Sequence, residues 1–327
     1  MLLDLLFILI LTGSLCTGTM AAHATPSAPA PAQSPENYTY TPPWLTLPPT
    51  PVLPASKYEG YAQVNNVSLW YGLYGAPLQT PTSTDTTTTN SPIVLLHGGR
   101  ISSRWYGHLI HSLADSPSHS VIAIDTRGHG RSTDDPSQPL SYTQFANDVI
   151  SLLDSLSIPK GSFIGWSDGA ITALLLAMDY PERVDRIISY GANYAPDQVN
   201  EASLSNLPFG EELVEREIAE YEELNPEPDS DWELFSARVG DMQAVEPNWT
   251  ERDFAKIPSF GEHPDAPMVL IAAGDHEEAI YHWVPREVFH MIPNSQLAIL
   301  PGMSHFGPLQ DPETFAATVI SFLNKPR

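Results

Sequence analysis

The sequence predicts an α/β fold: a mostly parallel central sheet, helices on both faces, and a helical segment inserted late in the chain. Three observations point to this. Short apolar runs at residues 93–96, 121–124, 163–166 and 267–273 are separated by helix-like stretches, and buried strands joined by helical crossovers pair in parallel. The alternation breaks off between residues 193 and 263 and then resumes. The length, 327 residues, accommodates one large α/β domain with an insertion, or two small domains.

Taken in order, residues 1–16 form an apolar run interrupted by Asp4, with no Lys or Arg before it. Its length suits a signal peptide and is too short for a bilayer span. Ala22-His23-Ala24 supplies a small-residue cleavage site, so residues 1–24 read as a signal peptide. That reading predicts a secreted, extracellular protein with no stable membrane span after cleavage; a retained N-terminal anchor is the alternative. Cys16, the only cysteine, lies inside this run, which leaves the remaining chain without disulfides or thiolate metal ligands. Sequons at Asn37, Asn66 and Asn248 fit passage through a eukaryotic secretory pathway. Residues 25–56 are rich in Pro, Ala, Ser and Thr, the composition of an extended linker with little structure of its own.

Residues 57–192 form the first part of the core. Two strands, 58–64 and 67–74, flank a tight Asn65-Asn66 turn. Residues 78–91 are a Thr-rich polar surface loop and a candidate for O-glycosylation. Strand 93–96, helix 105–113, strand 121–124, loop 125–132, helix 142–156, strand 163–166, helix 171–178 and strand 184–190 then follow. Residues 193–263 read as a helical lid, with an acidic helix at 211–224 and shorter helices near 232–239 and 251–257. Acidic helices of this kind ordinarily face water. Residues 264–327 complete the core with strand 267–273, helix 284–291, strand 296–300 and helix 312–323.

Charge narrows the function classes. Lys and Arg number 15 against 39 Asp and Glu, a formal net charge of −24. Nucleic acid and anionic membrane surfaces are poor partners for such a chain, because phosphate contacts need a basic patch. There is no His/Asp cluster at metal-ligand spacing, so no metal is expected.

The chemistry centres on Gly165-Trp166-Ser167-Asp168-Gly169, between an apolar strand and an Ala/Leu-rich helix. A Gly-x-Ser-x-Gly turn in that setting projects its serine above the sheet, and both glycines are needed where helix and strand meet closely. Ser167 is the candidate nucleophile. A serine hydroxyl needs a base, and the base needs an orienting acid. His305, in the glycine-containing loop after the last strand, is the candidate base. The acid belongs after the preceding strand, where Asp275, Glu277 and Glu278 lie within four residues. For the oxyanion, one N–H donor is that of Asp168; the second comes from His97-Gly98-Gly99-Arg100, with Gly99 favoured and Arg100 next.

Together with Asp125-Thr126-Arg127-Gly128-His129-Gly130-Arg131-Ser132, Gly274-Asp275-His276-Glu277 and Gly302-Met303-Ser304-His305, these pieces resemble the α/β-hydrolase fold superfamily over residues 58–323. Gly-Trp-Ser-Asp-Gly is more narrowly similar to the branch containing valacyclovir hydrolase and related carboxylesterases. The resemblance implies a cofactor-independent serine hydrolase acting on small-molecule esters, lactones or activated amides. The family places its catalytic Asp at the fourth position of Gly-x-x-Asp, which here is Glu277, a departure by one methylene. Glu277 is therefore the expected acid, with Asp275 as the alternative. Arg127 and His129 are expected to be structural, and Asp168 either braces the elbow or meets a substrate amine. Epoxide and haloalkane hydrolase chemistry is disfavoured, since those members carry Asp where this chain has Ser167. An aminopeptidase or amidase, or a non-catalytic binding protein of the same fold, are the competing readings.

Overall fold

The apolar runs pair into one sheet whose parallel strands end along a common edge. In a computed structural model, which describes residues 40–78, 91–261 and 263–326, that sheet has eight strands among the described residues. They are β1 (Tyr58–Val64), β2 (Val67–Gly75), β3 (Ile93–Leu96), β4 (Ser120–Ile124), β5 (Gly161–Trp166), β6 (Val184–Tyr190), β7 (Met268–Gly274) and β8 (Gln296–Leu300). The spatial order is β1-β2-β4-β3-β5-β6-β7-β8. β1, β2 and β4 pair antiparallel, and every later pairing is parallel. The β1–β2 turn carries Asn65 and Asn66 at φ 43° and 67°, conformations that asparagine tolerates better than most residues.

The helices are α1 (Gly107–Ala114), α2 (Tyr142–Ser155), α3 (Asp168–Asp179), α4 (Glu201–Leu204), α5 (Gly210–Leu224), α6 (Trp232–Gln243), α7 (Glu251–Phe254), α8 (Val284–Met291), α9 (Gly307–Gln310) and α10 (Pro312–Leu323). One apolar cluster unites α2, α3 and α8 with one face of the sheet, and a second unites α1 and α10 with the other. Strands such as β3, β5 and β7 are buried along their whole length, as a sheet covered on both faces requires.

Several boundaries differ from the sequence reading. The elbow helix starts at Asp168 rather than 171, because residues 168–170 already take helical geometry directly after Ser167. α6 runs on to Gln243, past Gly240, and the region near 251–257 is helical only over Glu251–Phe254. α4 and α9 have four residues each, too few to show a period.

Residues 41–56, read as linker, have little regular structure, only a 3-10 turn over Pro43–Leu45. They are nonetheless held against the body. Leu47 is buried, Gln310 Nε2 donates to Thr46 O at 3.0 Å, Arg216 of α5 donates to Leu47 O and Pro48 O, and the Trp44 ring lies 3.9 Å from that of His276. Apolar side chains within a Pro-rich stretch account for the difference, since an extended chain still buries them when a partner surface exists. The segment over 1–24 with Cys16, the sequon at Asn37, and nearly all of the Thr-rich loop at 78–91 lie outside the described residues. Asn66 and Asn248 are exposed. Among the described residues, no helix is long and apolar enough to cross a membrane.

Arg127 and His129 are built into the frame. Arg127 pairs with Asp148 of α2 at 2.8 Å, the two side chains 3% and 2% exposed. The same guanidinium reaches Asn65 O, and Asn65 Nδ2 donates to Asp148, so one buried pair joins the hairpin turn to α2. His129 stacks edge-on against Phe145 and Phe235. Removing one partner of such a pair strands the other's charge. Asp148→Ala is therefore expected to lower unfolding free energy by about 3–5 kcal/mol in urea titrations, whereas a loss below about 1 kcal/mol would assign the pair no structural weight.

Candidate active site

The C-terminal ends of β3, β5, β6, β7 and β8 converge on one edge, where parallel sheets of this kind place their ligands. Ser167 follows β5 directly, with φ 56° and ψ −120°, a strained backbone for a non-glycine residue. Its N–H donates to Tyr190 O at 2.9 Å, pinning the turn to the end of β6. The flanking glycines are forced by close backbone approach. A β-carbon on Gly165 would sit 2.2 Å from Gly169 O, and one on Gly169 only 1.9 Å from Leu96 O. α3 thus begins against the ends of both β5 and β3, with its first N–H groups and positive dipole end beside Ser167.

The loop after β3 completes this side. Thr126 N–H donates to His97 Nε2 at 3.0 Å, so Nδ1 carries the proton and donates to Gly98 O at 2.7 Å. Burial lowers the His97 pKa, keeping the ring neutral for this role. With its carbonyl held by His97, the Gly98–Gly99 peptide turns the Gly99 N–H to the opposite side. A β-carbon on Gly98 would lie 3.3 Å from Ser167 Cβ, and one on Gly99 would meet Asp168 Oδ2 at 2.5 Å. The structure therefore brings Gly98 and Gly99 against Ser167 and Asp168. Arg100 turns away at φ 63°, and its guanidinium bonds Ser236 and Gln243 of α6. The Asp168 carboxylate accepts from Tyr142 Oη at 2.8 Å and from Gln243 Nε2 at both oxygens. It braces the elbow against α2 and α6.

On the other side, Glu277 and His305 meet. Glu277 Oε1 lies 2.7 Å from His305 Nδ1 and also accepts from Ala279 N–H at 3.0 Å. Glu277 is 2% exposed and His305 7%. Burial acts to lower the His305 pKa, but the charge and hydrogen bond of Glu277, helped by Glu278 and Asp168, outweigh it and hold the pKa above 6.5. Asp275 does not reach the imidazole. Its half-exposed carboxylate accepts from Gly302 N–H at 2.7 Å and pairs with His276. Glu277, not Asp275, therefore faces the candidate base. Trp166, immediately before Ser167, packs 6.3 Å ring to ring from His305 and is ringed by Trp105, Tyr106 and Phe306.

Three contributors escape a reading of the sequence. Gly191 lies at φ 71°, and a β-carbon there would be 2.8 Å from two ring atoms of His305; a single glycine after a strand carries no motif. Glu217 and Glu220 turn inward from the acidic helix α5, whose Glu211, Glu212, Glu215, Glu222 and Glu223 stay exposed. Glu220 accepts from Trp105 Nε1 at 3.1 Å. Burial raises Glu217 to about 7, against the pull of Arg100 and with the push of Glu220. Helical spacing alone foreshadowed this, since positions 213, 217 and 220 share a face with the apolar side of α5. Among the described residues, no group of three or more His, Cys, Asp or Glu side chains could hold a metal ion.

Comparison with known proteins follows the same lines. The sequence pattern of the alpha/beta hydrolase family matches residues 93–318. The esterase YbfF of Escherichia coli (strain K12) is 24% identical over 252 residues, covering 72% of this chain and 94% of that protein. The human serine hydrolase BPHL is 39% identical over 82 residues, 24% of this chain and 28% of its own length; the narrower branch resemblance is thus partial. The crystal structure of the enol-lactonase from Burkholderia xenovorans LB400 superposes with a TM-score of 0.61 at 20% identity, covering 81% of this chain and all of that one. At that identity the likeness shows the fold.

Replacing Glu277 by Gln removes the strongest influence that raises His305. The imidazole pKa, followed by NMR titration, should fall on Glu277→Gln and stay in place on Asp275→Asn; a shift in the second variant alone would reassign the acid.

Proposed function

Because the chain belongs to the alpha/beta hydrolase family, we propose that it is a serine hydrolase that cleaves small-molecule carboxylic esters or lactones through an acyl-enzyme on Ser167. The observation that carries this reading is the buried Glu277–His305 pair at 2.7 Å, on the sheet edge where the strained turn presents Ser167. The resemblance to an esterase supports the bond class.

In this mechanism His305 Nε2 takes the proton of Ser167 Oγ as the oxygen attacks the carbonyl carbon. Glu277 holds Nδ1–H, which fixes the tautomer and stabilises the imidazolium that forms. The carbonyl oxygen, now negative, is met by the N–H groups of Asp168 and Gly99. Removing one such donor typically costs about 3 kcal/mol of transition-state stabilisation. The imidazolium returns its proton to the alcohol oxygen as the C–O bond breaks, leaving the acyl group on Ser167. Water then attacks the acyl carbon with His305 again as base, and the acid product leaves with Ser167 restored. A lactone follows the same steps, its alcohol remaining tethered to the acyl group until hydrolysis.

The base works only when neutral. Since Glu277 keeps its pKa above 6.5, kcat/KM should fall on acidification with a midpoint above 6.5, and should hold on the alkaline side of it. Ser167→Ala and His305→Ala should each reduce turnover of a short p-nitrophenyl ester by at least about a thousandfold. Full activity in Ser167→Ala would remove the acyl-enzyme from the account.

A further inference from the structure

Behind the Glu277–His305 pair lies a second carboxylate that the mechanism above does not use. Glu278 Oε1 accepts from Ser304 Oγ at 2.8 Å, and Oε2 accepts from the His305 backbone N–H at 2.7 Å. Both oxygens are thus committed to the two residues that carry the base. The hydroxyl direction is settled by its other neighbours. Ser304 Oγ already accepts from Gln310 Nε2 at 3.0 Å and from Phe306 N–H at 3.3 Å, so its own proton goes to Glu278. Gln310 also accepts from Ser304 N–H at 2.9 Å, and Tyr190 Oη donates to Ser304 O at 2.6 Å. The backbone around His305 therefore hangs from a closed set of side-chain bonds, and Glu278 is the only charged member.

We propose that Glu278 is a positioning residue for the base: ionised, it clamps the Ser304–His305 peptide, and its protonation releases the clamp and misplaces the imidazole. This rests on the assignment of His305 as general base. The chemistry follows from donor counting. A carboxylate offers acceptors to both donors, whereas a carboxylic acid gives up one of them to its own proton. Ser304 Oγ, which already accepts twice, cannot easily reverse its bond to receive that proton.

Protonation falls in an accessible range. Burial raises Glu278 to about 7, the nearby charge of Glu277 adds to it, and the charge of His305, its N–H and the Ser304 hydroxyl pull the other way. The groups facing Glu278 are Glu277 on its own loop and His305 on the base loop; Tyr190 on β6, its pKa raised by burial first and then by the charges of Glu277, Glu278 and Asp275, stays neutral. Loss of a proton from Glu278 and loss of a proton from His305 both favour catalysis.

The test compares the full-length chain with its Glu278→Gln and Glu278→Asp variants on a soluble p-nitrophenyl ester across pH 5–9, a range chosen to span values of about 7 on both sides. Glu278→Gln should lose about tenfold to a hundredfold in kcat with KM changed less than about twofold, because a misplaced base is felt in the transition state. The acid limb of its kcat/KM profile should show one proton step where the parent shows two, and Glu278→Asp should bring the second step back. Glu278→Gln with parental kcat and both steps would overturn the proposal. If Glu278→Gln does not fold, Ser304→Ala decides. With one of the two donors gone, a protonated Glu278 can still accept the His305 N–H, so the second proton step should disappear from the acid limb, and a limb that keeps both steps would overturn the proposal. Failure of the underlying reading would show differently, as an active Ser167→Ala or a parent without esterase turnover.

Discussion

The whole site depends on how closely the first turn of α3 lies against β3 and β5. There is no room for any side chain at residue 169, whose missing β-carbon would overlap Leu96 O at 1.9 Å, or at residue 165, which faces Gly169 O at 2.2 Å. That approach compresses the link between strand and helix to a single residue. Ser167 therefore takes a positive φ, and the helix N–H groups open beside it. The loop after β3 inherits its place from the same contact, since Leu96 is both the residue α3 touches and the last residue of β3. His97 then orients the next peptide, and the elbow is locked from the far side by Asp168 with Tyr142 and Gln243. α6 joins the same network through Gln243 and its bonds to Arg100 and Asp168, so the inserted helical segment is tied to the elements that would stabilise negative charge.

The base side is built on a comparable economy of space. Gly191 lets the His305 ring lie against the end of β6, and Gly274 lets β7 meet the Met303 carbonyl. Glu277 and Glu278 divide the work on one histidine, the first taking its ring N–H and the second its backbone N–H. The N-terminal strap touches the acid loop through Trp44 on His276, and α9 directly after the base loop through Thr46 on Gln310. Arg216 ties that strap to α5. α5, acid loop and base loop are thereby connected by side chains that each lie outside the reacting groups.

How much of this was legible in one dimension depends on whether the physical cause was local. The order of strands and helices was readable because burial on both faces writes apolar runs directly into the sequence. Gly165, Ser167 and Gly169 were readable because the elbow is made by five consecutive residues. Glu277 against Asp275 was not settled locally: both follow β7, and only the turn at 275–276, held by bonds to Leu300 O and Met303 O, decides which carboxylate swings toward His305. Glu278 and Gly191 act through residues more than twenty positions away, so no spacing rule exposes them. Composition misled in one place, since the Pro-rich stretch over 41–56 contains the apolar anchors Leu47 and Leu53 that pack on the second cluster.

The central claim is that Ser167 is an activated nucleophile served by His305. It is tested most directly by reacting the protein with a fluorophosphonate and locating the adduct by peptide mass spectrometry. The account predicts one adduct per chain, on Ser167, that is lost in His305→Ala. An adduct on another residue, or ester turnover that persists with Ser167 unmodified, would contradict it.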